Sequence, residues 1–131
     1  GYGRHMIRLF VGLRPSPATR SLLLERMHGV ANARWQSDAQ LHLTLAFIGE
    51  VEEPVAEAVD SALAHLSSPR FVWRVEGVSS FVRKGRAHSL WAGAQPEAPL
   101  AALAMKLEQA CRRAGAAIER RAFVPHVTLA R

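Results

Sequence analysis

The chain of 131 residues has a single cysteine, Cys111, and no apolar run approaching the roughly 18 residues that begin to suggest a membrane span. One cysteine cannot close an internal disulfide, which fits a reducing cytoplasm. No signal-peptide pattern is present, so the expected location is the cytoplasm, with no membrane partner. Acidic residues are few: 11 Asp and Glu stand against 17 Lys and Arg, giving a net charge of +6 and a pI near 11.0. That balance points to an anionic partner, or to a surface that is simply arginine-rich.

What is present suits one soluble domain, with 49% hydrophobic and 21% charged residues. Residues 1–5 read as a cloning scar before a native start at Met6, which removes His5 as a candidate. Residues 7–13 read as a buried strand. Ser16 is a helix N-cap with Pro17 at the first helical position, and His28-Gly29 closes that helix. Residues 30–40 form a connection with Trp35 on a short strand. A strand over 41–48, a helix opened by Pro54 and closed at His65, and strands over 71–78 and 89–94 follow. Residues 81–86 form a strand end and basic turn, with His88 exposed beyond it. A helix then runs from Pro96 and Pro99 to about Ala114, with Cys111 on its core face. A short strand over 118–121 precedes a last one.

Two of these strands carry the same five-residue pattern. His42-Leu43-Thr44-Leu45-Ala46 returns as His126-Val127-Thr128-Leu129-Ala130, 84 residues later. On a strand, alternate residues share a face, so each histidine points the same way as its threonine while the aliphatic residues point into packing. The repeat extends further: Leu9-Phe10-Val11-Gly12-Leu13-Arg14-Pro15 matches Leu90-Trp91-Ala92-Gly93-Ala94-Gln95-Pro96 at an offset of 81. The fold expected is α+β: two β-α-β halves about a pseudo-twofold axis, antiparallel or mixed sheets lining a central cleft, and helices outside.

One His-x-Thr is weak evidence for a site, but two copies inside a longer repeat are a strong signal. Threonine nucleophiles need a base within hydrogen-bond reach, and i, i+2 spacing places His and Thr poorly for that. Zinc would want three or four ligands, yet neither motif holds Asp, Glu or Cys, so no metal is expected. General acid–base chemistry fits better. Free imidazole titrates near 6.5, so one ring can take a proton while another gives one near neutral pH. Thr44 and Thr128 would hold the oxygens of the group between them, an arrangement suited to a phosphodiester.

At these residues the chain resembles the two-histidine phosphoesterase superfamily, and within it the LigT-like bacterial RNA 2′,3′-cyclic phosphodiesterases, historically called 2′-5′ RNA ligases. The matching stretches are Arg8-Leu9-Phe10-Val11-Gly12-Leu13, the first motif continued through Phe47-Ile48-Gly49, the segment 81–86, Leu90-Trp91-Ala92-Gly93, and residues 121–131 around the second motif. The resemblance implies a bilobal fold, no cofactor, and hydrolysis of RNA 2′,3′-cyclic phosphate ends to 2′-phosphates, with 2′-5′ ligation as the weak reverse reaction. The RNA partner could include tRNA halves. It implies His42 as proton donor, His126 as proton acceptor, and Thr44 and Thr128 on the phosphate. Arg131 matches a phosphate-contacting position, although strand parity puts it on the face opposite His126 unless a bulge or strand end intervenes.

Phe47 is the matching position in the first half. It could stack on a terminal base, although an apolar strand residue is more often core. Arg83, Lys84 and Arg86 could meet RNA phosphates, or form a solvated basic turn. Competing readings are a phosphodiesterase of small cyclic nucleotides or ADP-ribose cyclic phosphate, and a non-catalytic RNA- or nucleotide-binding module. Members of the family usually continue past the second motif, so residues 6–131 are expected to be one two-lobed domain cut short after it. If so, a bare sheet edge beside the second motif invites association between chains. A complete chain should be monomeric.

Overall fold

The computed structural model describes residues 6–83, 86–119 and 122–131, with only the backbone described for residues 82, 83 and 86–88. The elements in order are β1 (Met6–Leu13), α1 (Pro17–Arg26), a 3-10 turn (Asp38–Gln40), β2 (Leu43–Glu52), α2 (Glu53–Ala64), β3 (Arg74–Arg83), β4 (Arg86–Gln95), α3 (Glu97–Arg113) and β5 (His126–Ala130). All five strands form one sheet in the order β1-β2-β5-β4-β3, antiparallel at every pairing. The α+β class holds, and the antiparallel form is the one adopted.

Local chemistry explains most boundaries. The Ser16 hydroxyl accepts from the Thr19 N–H at 3.2 Å, and Pro17 opens α1 where no amide donor is needed. His65 caps α2, its Nδ1 on the Ser61 carbonyl at 2.8 Å. The strand expected at 71–78 begins at Arg74 and runs into a hairpin with β4. Ile118 and Glu119 lie outside any strand, while Arg120 and Arg121 fall outside the described residues.

The helices cover one face of the sheet. Leu100, Ala104 and Leu107 of α3 pack on Leu43, Val127, Ala92 and Ala94, and α1 adds Leu23 with Met27 just past its end. Val59 of α2 closes a second cluster with Ile48, Val51 and Cys111. Burial, and then Glu108, pushes the Cys111 thiol up from its ordinary range, which makes it an inert core residue. Among the described residues, no helix is long and apolar enough to cross a membrane.

The two halves of the repeat meet at the sheet centre. β2 and β5 pair only at Leu43↔Val127, both fully buried, and diverge on either side. The gap on one side is filled by residues 34–36. Arg34 and Arg131 exchange backbone hydrogen bonds of 3.0 Å, and the Gln36 N–H reaches the Leu129 carbonyl at 2.8 Å. Trp35 thereby makes an isolated bridge to Ala130. Among the described residues, β5 therefore has a neighbour on each side in place of the bare edge expected, and the outer strands are β1 and β3.

Leu43 holds the halves together through both its ladder pair and its side chain. Leu43→Ala is expected to cost about 2–5 kcal/mol, because a fully buried leucine leaves a cavity. Urea unfolding measures this, and a loss under about 1 kcal/mol would show that the seam relaxes around the missing side chain.

Candidate active site

The single pairing of Leu43 with Val127 fixes the geometry of the four motif side chains. Continuing that antiparallel register sets Thr44 opposite His126 and Thr128 opposite His42. In a continuous ladder directly opposed residues have Cβ atoms about 5 Å apart and diagonal ones about 7–8 Å, which is the lower bound here because the strands diverge past the single pair. The histidines lie on one diagonal and the threonines on the other. Leu43 and Val127 point into the core, so all four polar residues face away from the helices, and all four are half-buried.

Both imidazoles are held in the same way. His42 Nδ1 lies 2.8 Å from the Gln40 carbonyl, and His126 Nδ1 lies 2.6 Å from the Val124 carbonyl. A carbonyl only accepts, so Nδ1 carries the hydrogen and donates in both cases. Nε2 is left as the nitrogen that can take or give a proton. The loop before His42 is itself braced. One Arg14 guanidinium nitrogen donates to the carbonyls of Asp38, Ala39 and Leu41 at 2.7, 3.0 and 2.8 Å, and Arg20 donates to the Asp38 carboxylate at 2.9 Å. His42 thus precedes β2 instead of lying within it, and the strand expected from residue 41 starts at Leu43.

A repeated β-bulge decides what else reaches this face. Opposite β1, Gly12 pairs with Thr44 but Val11 pairs with Ala46, so Leu45 is an extra residue. Opposite β4, Trp91 pairs with Thr128 but Leu90 pairs with Ala130, so Leu129 is the extra residue. After each bulge the alternation is inverted, and consecutive residues turn inward: Leu45 with Ala46, and Leu129 with Ala130, are all buried. Phe47 therefore returns to the face of His42 and Thr44, where it is 50% exposed instead of belonging to the core. Position 131, just past β5, recovers the parity of His126 and Thr128, and Arg131 is exposed there.

Aromatic rings flank each histidine. Phe10 stacks on His42 at 4.7 Å between centroids and lies opposite Phe47 in the ladder, with the Arg8 guanidinium 5.6 Å from the Phe47 ring. Trp91, the repeat partner of Phe10, and Phe81 both stand edgewise to His126 at 5.4 Å. A cavity of about 570 Å³ opens where β2 leaves β5, lined by Thr44, Phe47, Phe81, Phe123 and His126 among others. Sequence reasoning did not single out Phe10, Gly12, Arg14, Phe81 or Trp91 as site residues. The pairing of Phe10 with Trp91 in the repeat was the signal for two of them.

Arg83 and Arg86 are the last described pair of the β3–β4 hairpin. Their side chains, and all of Lys84, lie outside the described residues. Among the described residues, no group of three or more His, Cys, Asp or Glu is placed to hold a metal ion.

Gly12 shows how tightly the site is built. A Cβ there would sit 2.9 Å from the Leu43 carbonyl oxygen and 3.3 Å from His42 Cδ2. Gly12→Val should push the imidazole out of line and lower turnover by about 10²-fold, the scale of a 1 Å misplacement. Circular dichroism should show the fold retained. Unchanged turnover in a folded variant would mean that the ring accommodates the added side chain.

The family profile described as LigT like Phosphoesterase matches residues 13–91, a span that includes the first motif and ends before the second. The RNA 2′,3′-cyclic phosphodiesterase of Aeropyrum pernix is 38% identical over 95 residues, covering 72% of this chain and 54% of that protein. The chain thus spans about half the length of that relative. The protein of the same name from Archaeoglobus fulgidus is 27% identical over 128 residues, covering 95% of this chain and 72% of its own length. The crystal structure of E. coli LigT complexed with 3′-AMP shares the fold with a TM-score of 0.82 at 27% identity, covering 97% of this chain and 74% of that one. With the paired His-x-Thr strands set across one seam, these matches show that the chain belongs to the LigT-like phosphoesterase family.

Proposed function

We propose that the chain hydrolyses RNA 2′,3′-cyclic phosphate ends to 2′-phosphates by acid–base catalysis with two histidines. The observation that carries this reading is the Leu43↔Val127 pair that joins the two motifs, with each histidine Nδ1 tied to a carbonyl and each Nε2 left for proton exchange. The names of the Aeropyrum and Archaeoglobus relatives support the substrate.

His126 Nε2 takes a proton from water as the water oxygen bonds to phosphorus. The P–O3′ bond breaks, and His42 Nε2–H delivers its proton to O3′. The Thr44 and Thr128 hydroxyls donate to the non-bridging oxygens, where charge builds in the transition state. Arg131, brought to this face by the bulge at Leu129, adds a positive charge at the phosphate. Phe47 stacks on the terminal base, and Arg83, Lys84 and Arg86 meet phosphates of the RNA body. With an RNA 5′-hydroxyl in place of water, the same steps give 2′-5′ ligation: His126 Nε2 takes the hydroxyl proton as O5′ bonds to phosphorus, the P–O3′ bond breaks, and His42 protonates O3′. The buried lone thiol fits action in a reducing cytoplasm.

The test is incubation in EDTA with an RNA ending in a 2′,3′-cyclic phosphate, followed by identification of the hydroxyl that keeps the phosphate. A 2′-phosphate is expected, at a rate that is bell-shaped in pH and indifferent to chelator. A 3′-phosphate product, or turnover that returns only with added zinc or manganese, would overturn the reading.

A further inference from the structure

We propose that Phe81 forms a second nucleobase subsite, which takes the penultimate base of the RNA end while the terminal base lies on the Phe10–Phe47 side. This rests on the phosphodiesterase reading and deepens it, from a reacting phosphate to an RNA strand with a defined direction through the cleft.

Three observations carry it. First, the histidine pair lies between two exposed aromatic walls. Phe10 and Phe47, 51% and 50% exposed, face one another in the β1–β2 ladder beside His42. Phe81, 40% exposed, stands beside His126 and is backed by Trp91 at 5.1 Å with 29° between the ring planes. A ring supported from behind and open in front is a stacking platform, and stacking accepts any base because every base has a π-face. Second, Phe47 and Phe81 line the same cavity, with Thr44 and His126 also on its wall. A ribose whose cyclic phosphate lies at His126 therefore has one wall within reach of its own base and a second within reach of its 5′ neighbour.

Third, charge gives the direction. Past Phe47, β2 runs out through Glu50 and Glu52 into Glu53 of α2. Past Phe81, β3 reaches Arg83, whose partner across the hairpin is Arg86, with Lys84 next in sequence. A polyanion leaves by the basic end, so the RNA body passes over Phe81 and the terminal base stays on the other side.

The test compares kcat/KM for the dinucleotide ApA with a 2′,3′-cyclic phosphate against adenosine 2′,3′-cyclic phosphate, in the whole chain. The wild type should favour the dinucleotide by roughly 5- to 100-fold, the stacking contribution of one base. Phe81→Leu, which keeps apolar bulk but not the π-face, should bring this ratio close to one, while Phe81→Tyr should preserve it. A wild-type ratio near one would overturn the proposal, as would a Phe81→Leu variant that keeps the ratio. So would a Phe81→Leu variant that slows both substrates equally, since Phe81 would then only position His126. Absence of turnover on either substrate would sink the hydrolase reading alone. Calorimetric titration with ApA 2′-phosphate and with adenosine 2′-phosphate then decides the subsite by the same ratio and the same two variants.

Discussion

Replacing His42 or His126 by Ala is expected to lower the chemical rate on an RNA cyclic phosphate by about 10²–10⁴ in each case, the usual contribution of a positioned acid or base. Each ring donates Nδ1–H to a carbonyl two residues earlier in the chain, Gln40 for His42 and Val124 for His126, so Ala removes both the proton carrier and its tether. Neither ring is in the buried core, so folding should survive. The double variant should lose less than the product of the two single losses. Proton delivery to O3′ helps little once nothing activates the water, and the two groups act as one unit. Single-turnover kinetics measure this. Near-wild-type turnover in either single variant would remove that histidine from the chemistry.

The second large effect is expected at the threonines. Thr44→Val and Thr128→Val keep the shape and the strand preference of a β-branched residue and remove only the hydroxyl. Each threonine stands opposite the other motif's histidine by continuation of the Leu43↔Val127 register, so in the proposed mechanism either loss strips a donor from the phosphate beside a proton-transfer group. Removing one such donor commonly costs about 10²–10³ in kcat. The loss should fall on kcat more than on KM, because the hydroxyls meet charge that develops in the transition state. A thermal melt of each variant should stay close to that of the parent. A loss below about fivefold in a folded variant would show that the hydroxyls do not hold the reacting oxygens.

Much of this site was legible in the residues. The duplicated His-x-Thr announces itself because polar pairs inside apolar strands need a reason. The longer repeat, from Leu9 to Pro15 and from Leu90 to Pro96, supplied the pseudo-twofold arrangement that β1-β2 and β5-β4 then adopt. Ser16-Pro17 marked the start of α1 through capping chemistry alone. What stayed hidden was whatever depends on partners distant in sequence. The bulges at Leu45 and Leu129 leave no trace in Leu-Ala-Phe or Leu-Ala-Arg, since a bulge is defined by the opposite strand. Alternation alone therefore leaves Phe47 more often a core residue and sets Arg131 opposite His126 unless a bulge intervenes, and the structure supplies the bulge in both halves. The Arg14 fork closes over carbonyls 24 to 27 residues away, and main-chain acceptors carry no sequence mark. The pairing of 34–36 with 129–131 was invisible for the same reason, and so the edge beside β5 looked bare.

The division of labour between the two histidines is tested most directly by the rate–pH profile of the wild type and of each single alanine variant, measured in EDTA on the same cyclic-phosphate RNA. The wild type should give a bell, because one ring must be neutral to take a proton while the other is charged to give one. His126→Ala should lose the acidic limb, where the base would otherwise become protonated, and His42→Ala should lose the alkaline limb, where the acid would otherwise be deprotonated. Two variants that both keep the full bell, or that both lose the same limb, would contradict a mechanism in which His126 is the base and His42 the acid.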